Sequence, residues 1–138
     1  MHAVLALLTV LCGGPTIEQI DAARKELRPL LDAMAIVESN NNDNAIGDHG
    51  KALGRYQIWE VYWRDAVEYA PDLGGRYEDV TNRDYAERVV VAYMLRYAHK
   101  AIDRKDFAHL ARVHNGGPKG YKVKATLVYY SKILKHLQ

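Results

Sequence analysis

Cysteine is almost absent from this sequence: Cys12 is the one thiol in 138 residues. A single thiol excludes an intramolecular disulfide and a cysteine-based zinc cage, so stability has to come from the apolar core. Metal-binding patterns are missing as well. None of the six histidines (His2, His49, His99, His109, His114, His136) belongs to an HExxH pair. His109 and His114 are five positions apart, off the i,i+4 spacing that sets two ligands on one helix face. No metal and no cofactor is expected. A strong charge of one sign is also lacking, since the formal net charge is +2. That excludes a case for nucleic acid from charge and is merely compatible with an anionic target. No apolar run reaches the ~20 residues that a bilayer-spanning helix needs, so no stable membrane insertion is expected.

What is present suits one globular domain. Hydrophobic residues make up 49% and charged residues 26%, and the length is enough for a real core. Residues 1–15 stand apart from 16–138. The run 3–11 is apolar and ends at Cys12-Gly13-Gly14-Pro15, like the core of an export signal. No Lys or Arg precedes it, no Ala-x-Ala site follows, and Leu11 stands where a lipoprotein signal needs a small residue. A degenerate export signal and a buried N-terminal helix both stay open.

From Pro15-Thr16 onward, Ile17, Ile20, Ala23 and Leu27 recur at helical spacing. Pro29 either kinks this helix or starts another, over 29–39, with Leu30, Leu31, Met34 and Val37 apolar. The segment 40–54 has no period and is rich in Asn, Asp and Gly, which predicts turns and a small hairpin around Gly47-Asp48-His49-Gly50. Helical character returns over 58–69, with Trp59, Tyr62, Trp63 and Ala66 on one side. Thr81 is the expected N-cap of a helix running to about His99. A shorter helix spans 106–114, and the last spans 124–137 with Leu127, Tyr130, Ile133, Leu134 and Leu137 as its stripe. The expected fold is mainly α, with a small polar hairpin region after the helix that ends at Glu38.

Glu38 closes an apolar helix just before the polar segment. Partial burial beside Ile36 and Val37, together with the negative end of the helix dipole, would favour its protonated form. A solvated helix-end glutamate is the competing reading, and position alone does not choose.

Three segments stand in order: Glu38-Ser39, then Gly54-Arg55-Tyr56-Gln57-Ile58, then Ala111-Arg112-Val113-His114-Asn115-Gly116-Gly117. They resemble the lysozyme superfamily, including its lytic transglycosylases. The resemblance is closer to the invertebrate-type lysozymes, the destabilase family. Tyr62-Trp63-Arg64-Asp65-Ala66, Tyr93-Met94-Leu95-Arg96-Tyr97 and Thr126-Leu127-Val128-Tyr129-Tyr130 add to it, and it covers roughly 30–135. Those lysozymes are rich in disulfides, and this chain departs from them there, which suits a bacterial or phage-borne member.

The resemblance implies an α+β lysozyme-like fold and a secreted, periplasmic or phage-delivered, bacteriolytic monomer that cleaves peptidoglycan glycan strands. Glu38 matches the general acid. Ser39, Tyr56, Gln57, His114, Asn115 and Gly116 match positions near the substrate. His114 is expected to hydrogen-bond or pack beside the Asn115 loop. Trp63 and Tyr62 are read as core, and Arg96 as an ion pair. A second carboxylate is wanted for hydrolysis. Asp48 could fold back over Glu38 through the hairpin, or could simply fill the turn. Asp43 is too close in sequence to reach easily. With Asp48 in play the reaction is that of a muramidase. With Glu38 alone it is a transglycosylase, forming a 1,6-anhydro sugar. A non-catalytic glycan-binding module is the third reading. An isopeptidase activity is not implied, because the stretch before Gly54 that should hold a serine has none.

Overall fold

The computed structural model describes residues 13–137. The apolar run 3–11 and Cys12, and with them the choice between export signal and buried helix, lie outside the described residues.

Helix α1 spans Ile17–Glu26 and α2 spans Arg28–Ser39. Thr16 caps α1 through a capping box: its hydroxyl oxygen accepts from the Gln19 amide at 3.2 Å, and its own amide donates to Gln19 Oε1 at 2.9 Å. Pro29 falls in the first turn of α2 and therefore starts a helix instead of kinking one, since first-turn N–H groups have no helical partner to lose. Asn40, in the left-handed conformation with φ 53°, ends α2 directly after the Glu38-Ser39 pair.

Strands β1 (Ile46–Gly47) and β2 (Ala52–Leu53) pair antiparallel, Ile46 opposite Leu53 and Gly47 opposite Ala52. Asp48, His49 and Gly50 turn between them with φ of 48°, 58° and 91°. The small hairpin is where the asparagine- and glycine-rich segment predicts it. Helix α3 spans Glu60–Tyr69, α4 Arg83–Asp103, α5 Phe107–Gly116 and α6 Ala125–Leu134.

Two expectations need correction. The N-cap of α4 is Asn82, whose side chain accepts from the Tyr85 amide at 3.0 Å. Thr81 instead ends a short 3-10 turn and donates its hydroxyl to the Glu78 carbonyl. The buried stripe of α6 is Thr126, Tyr129 and Ile133, while Leu127 and Leu134 are exposed.

Helix α4 is the axis of the core. Ala86 to Leu95 lack a solvent-facing side over most of their length, and α1, α3 and α5 pack around them. Glu87 lies buried among these apolar residues. It takes hydrogen bonds from Arg24 (2.8 Å), Arg28 (2.7 and 2.9 Å) and the Tyr56 hydroxyl (2.8 Å), tying α1, α2 and the segment before α3 to α4.

Candidate active site

The end of α2 delivers Glu38 to the floor of an open cleft of about 310 Å³. The hairpin, the start of α3 and the end of α5 form its walls. Glu38, Asp48, Gln57, Trp59, Asp65 and Asn115 are among its lining residues.

The Glu38 carboxyl is held on one side only. Its Oε2 accepts from the Tyr129 hydroxyl at 2.8 Å and from His114 Nε2 at 3.1 Å. Among the described residues no group bonds Oε1. His114 Nε2 also lies 3.1 Å from the Tyr56 carbonyl, which can only accept, so the Nε2 hydrogen is fixed by its partners. His114 Nδ1 then accepts from the Tyr62 hydroxyl at 2.8 Å. Tyr62 stacks on Tyr93 with ring centroids 3.7 Å apart. Burial, and then the nearby Glu38 charge, push the Tyr129 phenol well above its ordinary pKa. Burial does the same for Tyr62, with Tyr93 and Glu38 adding to it. Both phenols therefore stay donors. Tyr93 is pushed up to about 12, by burial first and by Tyr97 and Asp65 after it.

Asp48 reaches the same cleft from the hairpin turn, and its Oδ2 accepts from the Trp59 indole N–H at 3.2 Å. Asp48 thus sits in the turn and lines the cleft at once. Trp59 caps α3 and is 41% exposed, with the Lys51 ammonium 5.7 Å from its ring centroid. Its indole offers the cleft a flat apolar face of the kind that packs on sugar rings. Gln57 lines the wall, and its amide donates to the Gly54 and Ala45 carbonyls at 3.0 and 3.3 Å. Gly47 makes this arrangement fit: a Cβ there would collide with Gln57 Oε1. Asn115 is exposed at the rim beside Gly117.

Other sequence-expected residues stand elsewhere. The Tyr56 side chain does not line the cleft: it is fully buried with its hydroxyl on Glu87, and its carbonyl alone touches the site through His114. The Ser39 hydroxyl donates to the Arg55 carbonyl at 2.8 Å and accepts from the Asn42 amide, so it fastens the loop after α2. Gly116 faces α6, where a Cβ would come within 2.6 Å of Thr126 Cγ2. Asp43 pairs with Arg55 at 2.8 Å. Trp63 is packed against the core and donates to the Tyr85 hydroxyl. Arg96 pairs with Glu68 and donates to the Asp65 carbonyl, as expected of an ion pair.

Sequence reasoning missed Trp59 and Asp65 as cleft residues and Tyr129 as the donor behind Glu38. Tyr129 was legible as part of a helix and of a family-like segment, with no signal that it reaches Glu38. Trp59 had a weak signal, an aromatic directly after the Tyr56-Gln57-Ile58 segment. Among the described residues no group of His, Cys, Asp and Glu is arranged to hold a metal.

The family model described as Destabilase matches residues 28–136. The chain is 38% identical to a lysozyme of Ostrea edulis over 88 residues, covering 61% of each, and 35% identical to a lysozyme of Magallana gigas over 82 residues, covering 59% of this chain and 58% of that one. It thus spans about three fifths of the length of these relatives. The crystal structure of Tapes japonica lysozyme is similar with a TM-score of 0.66 at 28% identity, over 78% of this chain and 88% of that one. An inhibitor-bound lysozyme from Meretrix lusoria is similar with a TM-score of 0.64 at 30% identity, over the same shares.

Proposed function

Because this chain belongs to the destabilase family of invertebrate-type lysozymes, we propose that it is a muramidase, with Glu38 as general acid and Asp48 as the second carboxylate. Its mainly helical fold with a two-stranded hairpin is lysozyme-like. The bond cut is the β-1,4 link from MurNAc to GlcNAc in peptidoglycan, and the site of action is outside the cytoplasm, where that polymer lies.

The observation that carries the reading is the one-sided grip on Glu38. With Oε2 saturated by Tyr129 and His114, the acid's hydrogen belongs on Oε1, the oxygen without a protein partner. In the first step Oε1–H passes its proton to the glycosidic oxygen, the C1–O bond breaks, and the leaving sugar departs as an alcohol. Positive charge develops on the ring facing the Asp48 carboxylate, which lines the same cleft. Asp48 stabilises that charge, or adds to C1 as nucleophile. Glu38, now a carboxylate, takes a proton from water as the water oxygen bonds to C1; where Asp48 has added to C1, that C1–O bond breaks in the same step and Asp48 leaves as a carboxylate. Trp59 orients the sugar by its indole face, and Gln57 holds the wall in place with its amide on the Gly54 and Ala45 carbonyls.

The transglycosylase reading draws on a different observation. Asp48 Oδ2 already accepts from Trp59, while the Glu38 grip is complete without it. One experiment separates the two. Purified sacculi are digested with wild type, Glu38→Gln and Asp48→Asn, and sugar termini are read by mass spectrometry. The expected products carry reducing-end muramic acid, and both variants lose at least a hundredfold in rate. Anhydro-muropeptides alone, with an active Asp48→Asn, would assign transglycosylation. Binding without cleavage in wild type would assign a glycan-binding module.

A further inference from the structure

A second cleft lies away from Glu38, where the end of α4 meets α5 and the turn at Tyr121. Its volume is about 320 Å³, and Arg96, His99, Lys100, Arg104, His109 and Tyr121 are among the residues that line it. No carboxylate of the described residues does. Helix α4 breaks at Ala98 (φ −153°, ψ 38°), inside the stretch that lines this hollow. The His109 ring stacks on Tyr121, centroids 4.5 Å apart and planes 15° apart, giving the hollow a flat aromatic wall. The Lys122 ammonium lies 5.5 Å from the same Tyr121 ring centroid.

Most arginines among the described residues are held by acids, and Arg104 is not. Arg24, Arg28, Arg55, Arg64, Arg83 and Arg88 all pair with carboxylates. Arg96 is likewise engaged, with Glu68 and the Asp65 carbonyl. Lys100 and Arg104 have no ion pair or side-chain hydrogen bond among the described residues. Of the acids closest in sequence, Asp106 is used as the N-cap of α5, accepting from the His109 amide, and Asp103 does not line the cleft. Basic residues in a last helical turn commonly answer the helix dipole. That accounts for Lys100 and Arg104 singly. It does not account for the histidine and tyrosine that converge on them from other elements, nor for a wall free of carboxylates.

We propose that this cleft binds a phosphate-class oxyanion, either free or carried as an ester on a larger molecule. A guanidinium presents a planar fork to two oxygens, and an ammonium and imidazoles supply further donors. A phosphoryl group, carrying ~1.5 to 2 negative charges near neutral pH as a monoester, offers enough acceptor oxygens for all of them. The His109–Tyr121 wall gives the organic part of an ester an apolar face.

The test is a titration with inorganic phosphate, at fixed pH and ionic strength, following the imidazole NMR signals of His99 and His109. A saturable shift is expected, and binding weakens at least tenfold in the Lys100→Gln/Arg104→Gln double variant. Both residues are exposed, so the fold persists. Arg104→Lys keeps the charge but loses the fork, and is expected to fall between the two. A glycerol phosphodiester polymer that binds at least tenfold more tightly than phosphate identifies a carried ester, and equal binding identifies the free ion. Shifts no larger than those caused by chloride, or unchanged in the double variant, would overturn the proposal. An active Glu38→Gln enzyme would sink the muramidase reading and leave this titration unaffected.

Discussion

At Glu38 the two carboxyl oxygens have unlike surroundings: Oε2 accepts from Tyr129 and His114, and Oε1 from neither. Removing one donor tests what the grip does. In Tyr129→Phe the ring still fills its buried place, while the carboxylate formed after proton transfer loses a hydrogen bond. Hydrogen bonds to charged groups contribute about 1.5–3 kcal/mol, so kcat should fall roughly tenfold or more with KM little changed. Steady-state kinetics on soluble glycan fragments, with a thermal melt as a fold check, decides it. A merely structural Tyr129 would change the melt and leave kcat alone. Because Tyr129 is raised well above its ordinary pKa by burial and by Glu38, its own ionisation should not limit activity at ordinary working pH.

At the scale of elements, the hairpin and the two helix ends beside it set the cleft. Gly54 shows how tightly they are joined. Its φ is 83°, and a Cβ there would lie 2.6 Å from the Val80 carbonyl oxygen. Gly54→Ala combines a disfavoured backbone with a clash against main chain. It should cost on the order of 2 kcal/mol, read as a lower urea midpoint with unchanged slope. It should also lower activity, because the Gly54 carbonyl accepts from Gln57. Helix α6 shows where an apolar pattern misleads. Positions 127 and 134 are more hydrophobic than 126 and 129, so the sequence points the wrong stripe inward. Thr126 faces inward because its hydroxyl accepts from Arg112 Nε and donates to the Gly120 carbonyl, at 2.8 and 2.7 Å. Tyr129 faces inward because Glu38 accepts its hydrogen. Polar side chains are buried where partners wait, and the partner of Tyr129 lies 91 residues away.

For the whole molecule, Glu87 and its arginines take the place of a covalent staple among α1, α2 and α4. Burial alone would raise the Glu87 pKa. Hydrogen bonds from Arg28, Arg24 and Tyr56 outweigh it and hold the carboxyl far below the ordinary range. Below the unfolded glutamate pKa of about 4.3, the unfolded chain takes up a proton here that the folded chain does not. The unfolded state then binds more protons, so this contribution is fully present above that pH and is lost as the pH falls through the folded value. Asp21, lowered by its hydrogen bond with Arg88 against the effect of burial, acts in the same direction. The urea midpoint should therefore drop between about pH 5 and pH 3. Glu87→Gln should be less stable at neutral pH and lose less on acidification.

Local chemistry controls the features that can be read directly from the chain. Thr16 made a helix start and the asparagine–glycine segment a hairpin, while Pro29 left a kink and a new helix both open until the fold put it in a first turn. Glu38-Ser39, Gly54 to Ile58 and the Asn115 loop marked the family and singled out Glu38 as the proposed acid. Which side chains converge on Glu38 depends on the packing of distant elements. That packing turned the Tyr56 ring to Glu87 and only its carbonyl to His114, set Ser39 to fastening a loop, and brought Asp48 and Trp59 to one cleft. It also brought Tyr129 to Glu38 from 91 residues away. Such contacts are settled by which distant donor meets which buried acceptor, and helical or strand periodicity carries no record of that pairing.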